Sequence, residues 1–74
     1  MTEPIKMLER RFELFPAKFA WRGRIYKIEA VNECKTIPES GGHSASYHFW
    51  VRCEGQSLHL CQELSSDFWM LQPE

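Results

Sequence analysis

The stretch that decides the fold is residues 47–62, which read YHFWVRCEGQSLHLCQ. Apolar and polar side chains alternate on both sides of Glu54-Gly55, a pair that favours the positive φ angles of a hairpin turn. Pairing the strands outward from that turn sets Val51 opposite Leu58 and Phe49 opposite Leu60 on one apolar face. A shift of one residue would turn this whole set to the other face, so the pattern specifies the register.

A second hairpin is predicted upstream, around Arg22-Gly23. Residues 17–21 alternate before this turn and residues 24–28 alternate after it. One face of this hairpin is then apolar and aromatic, and the opposite face is mixed and wet. The cross-strand pairs predicted for it are Trp21 with Arg24, Phe19 with Tyr26 and Ala17 with Ile28.

Three further segments complete the expected architecture. Residues 64–67 read as a turn into a short apolar strand, Phe68–Gln72, and residues 34–46 are expected to form a loop because Pro, Gly and Ser crowd into them. Residues 1–15 allow two readings. One is a helix capped by Thr2, with apolar residues at helical spacing. The other, which is favoured because everything downstream is β, is a short strand over residues 5–8 followed by a charged loop over residues 9–11.

These elements indicate an all-β fold, a small antiparallel sheet of five or six strands that curls or closes into a barrel because an open sheet exposes its edges. The 74 residues suffice for one domain, 1–74, in which 16–72 form the β core and 1–15 are a segment of uncertain structure. Aromatic residues make up 14% of the chain, enough for a packed core without metal or disulfide, and they exclude intrinsic disorder.

The net charge of −1 hides an asymmetry along the chain. Residues 1–35 hold eight Lys/Arg against five Glu, and residues 36–74 hold one basic residue against five acidic ones. The first half therefore carries +3 and the second −4. Such a chain is not a general polyanion binder, although its first half allows a basic face. Solvated charges at alternate strand positions are the favoured interpretation.

The three cysteines, Cys34, Cys53 and Cys61, are odd in number and lack CxxC spacing. No secretory signal precedes them, and no apolar run reaches the roughly 18 residues that span a bilayer. We therefore expect a cytoplasmic protein with reduced thiols and no membrane partner.

The most distinctive surface is the polar face of the second hairpin. The predicted register places Trp50 across from His59 and His48 across from Cys61, with Arg52 farther along the same strand. Trp and His rings and a guanidinium are the groups of a stacking platform. The alternative, which is favoured, is that a curved barrel buries these side chains in a second minor core.

The tip of the first hairpin combines Trp21 with Arg22 and Arg24. Two arginines beside a tryptophan are suited to grip a phosphate or an acidic peptide. The competing and favoured interpretation is that Trp21 belongs to the core and the arginines keep the tip soluble.

Zinc and thiol chemistry are weaker alternatives. His48, His59 and Cys61, with Cys53 or His43 as a fourth ligand, are the residues for a zinc site, but strand alternation points Cys53 and His59 to opposite faces. His48 is a candidate base for Cys61, yet nothing marks an oxyanion hole. No catalytic residue, metal or cofactor is predicted.

The opening of the first hairpin carries a family resemblance. Pro16, Phe19, Tyr26 and Ile28 frame the run Trp21-Arg22-Gly23-Arg24, in a P-x-x-F-x-W-R-G-R-x-Y-x-I pattern. Residues 16–72 thereby resemble an uncharacterised family of small bacterial all-β domains, which stand alone or are appended to larger proteins such as Y-family DNA polymerases. The resemblance implies the fold, a bacterial cytoplasmic setting and a link to nucleic-acid metabolism. Residues 58–62, Leu-His-Leu-Cys-Gln, depart from the family's basic, Tyr-rich fourth strand, and no activity is carried over.

The function predicted is therefore a small non-enzymatic binding module for nucleic acid or a protein ligand. Its candidate binding residues are Arg22, Arg24, Trp50, His48, Arg52 and His59. One alternative is a self-associating structural protein, a homodimer paired through an edge strand such as Phe68–Leu71. A zinc- or thiol-dependent enzyme is the least favoured alternative.

Overall fold

Regular structure is β-strand throughout the residues that the computed structural model describes, 2–12, 14–42 and 44–72. The all-β prediction is confirmed there, and the helical reading of the N-terminal segment is wrong. The described chain contains eight strands: β1 (Glu3–Pro4), β2 (Lys6–Arg11), β3 (Phe15–Trp21), β4 (Arg24–Lys27), β5 (Ala30–Ile37), β6 (Ser46–Cys53), β7 (Gln56–Glu63) and β8 (Phe68–Gln72).

The strands form two antiparallel sheets, a five-stranded one in the order β1-β8-β7-β6-β5 and a three-stranded one in the order β2-β3-β4. The chain changes sheet near Ile5, whose N–H donates to the Trp69 carbonyl at 3.1 Å, and again near Glu29, whose N–H donates to the Arg52 carbonyl at 2.8 Å. Within the described residues no strand of one sheet pairs with a strand of the other, so the ladders do not close into a barrel. The expected single sheet of five or six strands, curled or closed into a barrel, is corrected to eight strands in two sheets that do not close.

Both predicted hairpins are confirmed in register. Phe19 pairs with Tyr26 in the first hairpin, and Val51 pairs with Leu58 in the second. Their turns, Arg22-Gly23 and Glu54-Gly55, place both central residues at positive φ, between 51° and 76°. This is the type I′ conformation, whose twist matches that of the flanking strands.

Two stretches expected to be loops belong to strands instead. β5 runs to Ile37, so residues 34–37 are not part of a loop, and β2 runs through the charged residues 9–11. Both are edge strands, and in β5 every side chain except Val31 is exposed. With neither face fully buried, such strands show no apolar–polar alternation in the sequence. The strand Phe68–Gln72 is confirmed as β8, but it is no free edge because β1 pairs with it.

The core lies between the inner faces of the two sheets. Phe49 is fully buried at its centre, with Phe15 edge-on at 6.2 Å between ring centroids and Trp69 stacked at 5.6 Å. Phe19 of the three-stranded sheet is also fully buried and stacks on Tyr26 at 5.3 Å. The rings that alternate along the hairpins thus meet in one core, and the opposite face of the five-stranded sheet is left for other contacts.

Candidate binding site on the five-stranded sheet

The face of the five-stranded sheet that points away from the core, the outer face, carries two rows of cross-strand neighbours. Alternation from the buried Phe49 and Val51 places the side chains of these rows on this face. One row is Glu33, Trp50, His59 and Gln72, and the other is Lys35, His48, Cys61 and Met70.

Three rings on the outer face are stacked on one another. Trp50 and His59 lie nearly parallel, 16° apart, with 4.4 Å between centroids. The His48 ring lies 5.0 Å from that of His59 and 6.1 Å from that of Trp50. Trp50 and His59 are half-buried, whereas His48 is only 8% exposed. The sequence prediction that these side chains share a face is confirmed, and their packing means that a ligand would meet an ordered surface.

Hydrogen bonds fix the orientation of the His48 ring. Its Nδ1 lies 2.8 Å from Nε2 of His59, and its Nε2 lies 3.1 Å from Oγ of Ser46. One hydrogen is shared between the two imidazoles, so one of the facing nitrogens donates and the other accepts. Burial lowers the pKa of His48, and the neighbouring His59 and Lys35 lower it further. His48 is therefore neutral at physiological pH.

The two buried thiols, Cys53 and Cys61, do not have the environment of a nucleophile. Cys61 Sγ lies 3.8 Å from His48 Nε2, but burial raises the pKa of this thiol, so it stays protonated. Cys53 faces the core, donates to the Lys27 carbonyl and has its pKa raised by burial. No group of three His, Cys, Asp or Glu side chains within the described ranges is placed to hold a metal ion. His43, the other candidate ligand, lies outside those residues.

An apolar groove of about 380 Å³ borders the rings on the outer face. Its surface is mostly apolar, from Ile37, Pro38 and Met70 next to Cys61, and its polar lining comes from serines and Glu63. Ile37 is 42% exposed, and Phe68, opposite Glu63 on the neighbouring strand, is 45% exposed. The outer face therefore offers rings together with an adjacent open apolar groove.

The tip arginines lie on the other sheet and are engaged in ion pairs. Arg22 holds the carboxylate of Glu3 with two hydrogen bonds of 2.9 Å, and its guanidinium lies 4.9 Å from the centroid of the Trp21 ring. Arg24 pairs with Glu54 at 2.5 Å and lies over the Tyr26 ring at 5.0 Å. A phosphate would have to compete with Glu3 and Glu54 for these exposed arginines, so their role in binding stays a prediction.

Charge is segregated between the two sheets. Residues 6–27, which contain the three-stranded sheet, hold seven Lys/Arg and two Glu, a formal +5. The remaining residues hold two basic and eight acidic side chains, a formal −6. Three ion pairs join the two groups: Arg22 with Glu3, Arg24 with Glu54, and Arg10 with Asp67. The uneven distribution of charge along the sequence thus gives the two groups opposite net charges, and these three ion pairs join them.

Of the six predicted binding residues, the structure groups His48, Trp50 and His59, with Arg52 exposed two positions beyond Trp50. Arg22 and Arg24 are not part of this group. The sequence prediction did not include Ser46 and Lys35, which lie next to His48, or Met70, which lies opposite Cys61. Met70 had a usable signal because the sequence predicts strand β8, whereas Lys35 lies in β5, whose sequence has the composition of a loop.

Comparisons with known proteins add no assignment: no family model matches the chain, and neither a curated protein nor a solved structure does. In the part of the chain that the structure describes, no helix is long and apolar enough to cross a bilayer.

Proposed function

We propose that this chain is a non-enzymatic binding module that recognises a protein ligand on the outer face of the five-stranded sheet. The observation that carries the proposal is the stack of Trp50 on His59, ordered at 4.4 Å and yet only half-buried. Rings that are already fixed lose little conformational entropy on binding, and half-buried aromatic side chains are typical anchors of protein interfaces.

Charge favours a protein over a nucleic acid at this face. On the outer face Glu33 and Glu63 are balanced by Lys35 and Arg52, and the residues outside the basic segment 6–27 carry −6 in total. The face therefore lacks the excess of positive charge that binds a polyanion, whereas a protein segment that fills the groove beside Met70 does not need it.

The absence of catalysis is part of the same proposal. Cys61 and His48 lie near each other, but the thiol is protonated and the imidazole is neutral at physiological pH. A thiol nucleophile needs a lowered pKa, and burial shifts that of Cys61 in the opposite direction.

Site-specific photocrosslinking tests the proposal. A photoreactive phenylalanine analogue is placed at Ser57, exposed on the outer face opposite Arg52, and separately at Lys27, exposed on the three-stranded sheet. In the native cells we expect one discrete protein adduct from position 57, distinct in mass from twice the 8.8 kDa chain, and none from position 27. Trp50→Ala, checked for folding by circular dichroism, should remove the adduct. Equal adducts from both positions would contradict the proposal.

Nucleic-acid binding by the three-stranded sheet is the second candidate, favoured by the +5 charge of residues 6–27. Lys18 lies directly opposite Lys27, and Lys6 lies on a neighbouring strand of that sheet. Fluorescence anisotropy with labelled single-stranded and duplex 20-mers tests it. Binding should weaken steeply between 50 and 200 mM salt and should be lost in Lys27→Glu. No binding at 50 mM salt removes this candidate.

We also propose that this chain is a member of the family of small bacterial all-β domains and that it is cytoplasmic. All three cysteines are free thiols, and Cys53 and Cys61 are buried, which fits a reducing compartment. The motif around Trp21 supports the family assignment.

A further inference from the structure

The free edge of the five-stranded sheet is strand β5. In the described chain it pairs with β6 alone, and all its side chains except Val31 are exposed. Eight residues long, it presents a row of unpaired backbone N–H and C=O groups, which form a template for another strand. The shifted register at Asn32 is a local irregularity, and Glu33–Ile37 pairs regularly with β6.

We propose that this chain forms a homodimer in which β5 pairs antiparallel with β5 of a second copy, about a two-fold axis that sets Cys34 opposite the partner's Cys34. The two five-stranded sheets would then form one continuous sheet. The proposal is independent of any ligand on the outer face.

The charge pattern of β5 selects this register. In a two-fold pair with its axis perpendicular to the sheet, one residue lies opposite its own copy. An axis at Cys34 sets Glu33 opposite the partner's Lys35 twice, with all four side chains on the outer face. An axis at Glu33 or at Lys35 would instead set like charges face to face, which destabilises a cross-strand pair. Of these three registers, the one centred on Cys34 is therefore the one in which the charges of the edge are complementary.

The surface beside the edge also favours a second copy. An apolar groove of about 370 Å³ adjoins β5, lined in part by Val31, Cys34 and Phe12. Phe12, beside this groove, is 91% exposed. A second β5 alongside the first would shield this region. Because two edge strands make a small interface, we expect a dissociation constant on the order of 100 μM.

Sedimentation velocity combined with charge reversal tests the proposal. The wild-type chain should dimerise at several hundred micromolar. Glu33→Lys should weaken association about tenfold or more, since it turns two attractive cross-strand pairs into repulsive ones. The matched control is the charge swap Glu33→Lys with Lys35→Glu, which restores complementarity and should return the dissociation constant to within about threefold of wild type. Thermal unfolding confirms that each variant is folded.

Oxidation provides a second readout because Cys34 is the exposed thiol, while Cys53 and Cys61 are buried. Opposed residues in an antiparallel pair have Cα atoms about 4.5–5.5 Å apart, within disulfide reach. Diamide should therefore yield a covalent dimer from the wild type and the charge swap, little from Glu33→Lys and none from Cys34→Ser. A strict monomer at about 500 μM, or equal crosslinking in Glu33→Lys, would overturn the proposal.

Discussion

The outer faces of the two sheets differ in how closely their side chains pack against one another. On the three-stranded sheet Lys18 lies opposite Lys27, and Ile25 is 60% exposed. On the five-stranded sheet Trp50 and His59 are stacked, and His48 is nearly buried beside them. Both hairpins use the same type of turn and the same alternation, so the backbone does not explain the difference.

What separates the two faces is the chemistry of the side chains. Lysines keep their charged ends in water and pack little against each other. Imidazole and indole rings stack and hydrogen-bond, so they form a layer without a second sheet above them. A wet sheet face and a candidate binding site can thus arise from the same hairpin architecture.

The largest effect that separates the two faces should come from Trp50→Ala. Loss of the stack on His59 and of half-buried ring area should lower the free energy of unfolding by about 2 kcal/mol, below the cost of a core ring. Ile25→Ala, on the exposed face, is the matched control and should stay within about 0.5 kcal/mol. Urea unfolding measures both. Equal costs for the two variants would mean that the faces do not differ in how closely their side chains pack.

The next effect is a pH dependence of the free energy of unfolding that arises from His48 on the five-stranded sheet. The pKa of His48 is lowered in the folded chain from its ordinary value of 6.5, chiefly by burial, so the unfolded chain binds a proton more readily. The contribution of His48 to the free energy of unfolding is therefore fully present above about pH 6.5. That contribution is lost as the pH falls through the lowered pKa of the folded state.

Urea unfolding at a series of pH values, compared between wild type and His48→Gln, isolates this contribution. The difference between the two unfolding free energies should shrink as the pH falls below about 6.5. A difference that stays constant across this range, or grows with acidification, would show that the His48 environment is not the one described.

The smallest effects should come from the ion pairs at the hairpin tips. Arg24 and Glu54 are both exposed, so solvent screens their attraction. A double-mutant cycle with Arg24→Gln and Glu54→Gln should give a coupling energy below about 1 kcal/mol that falls further with added salt. A coupling energy above about 2 kcal/mol would contradict the expectation that these exposed ion pairs contribute little to stability.

The sequence predicts those parts of the fold in which one face is buried. Around Phe49 and Phe19 the alternation is clear, and the register of both hairpins follows from it. Prediction from the sequence fails for β5 and the charged end of β2. These edge strands are exposed on both faces, so their apolar and polar residues do not alternate with a period of two. The ion-pair partners of the tip arginines also escape prediction. Arg22 and Glu3 are 19 residues apart, and only the packing of the sheets brings them together.

A competition measurement tests most directly whether the outer face of the five-stranded sheet is the binding surface. Chain carrying the crosslinker at Ser57 is mixed with a native extract and an excess of unlabelled competitor. Wild-type competitor and Lys27→Ala should both suppress the adduct, whereas folded Trp50→Ala should leave it intact. If Trp50→Ala competes as well as wild type, the stacked rings do not form the binding surface and the central claim fails.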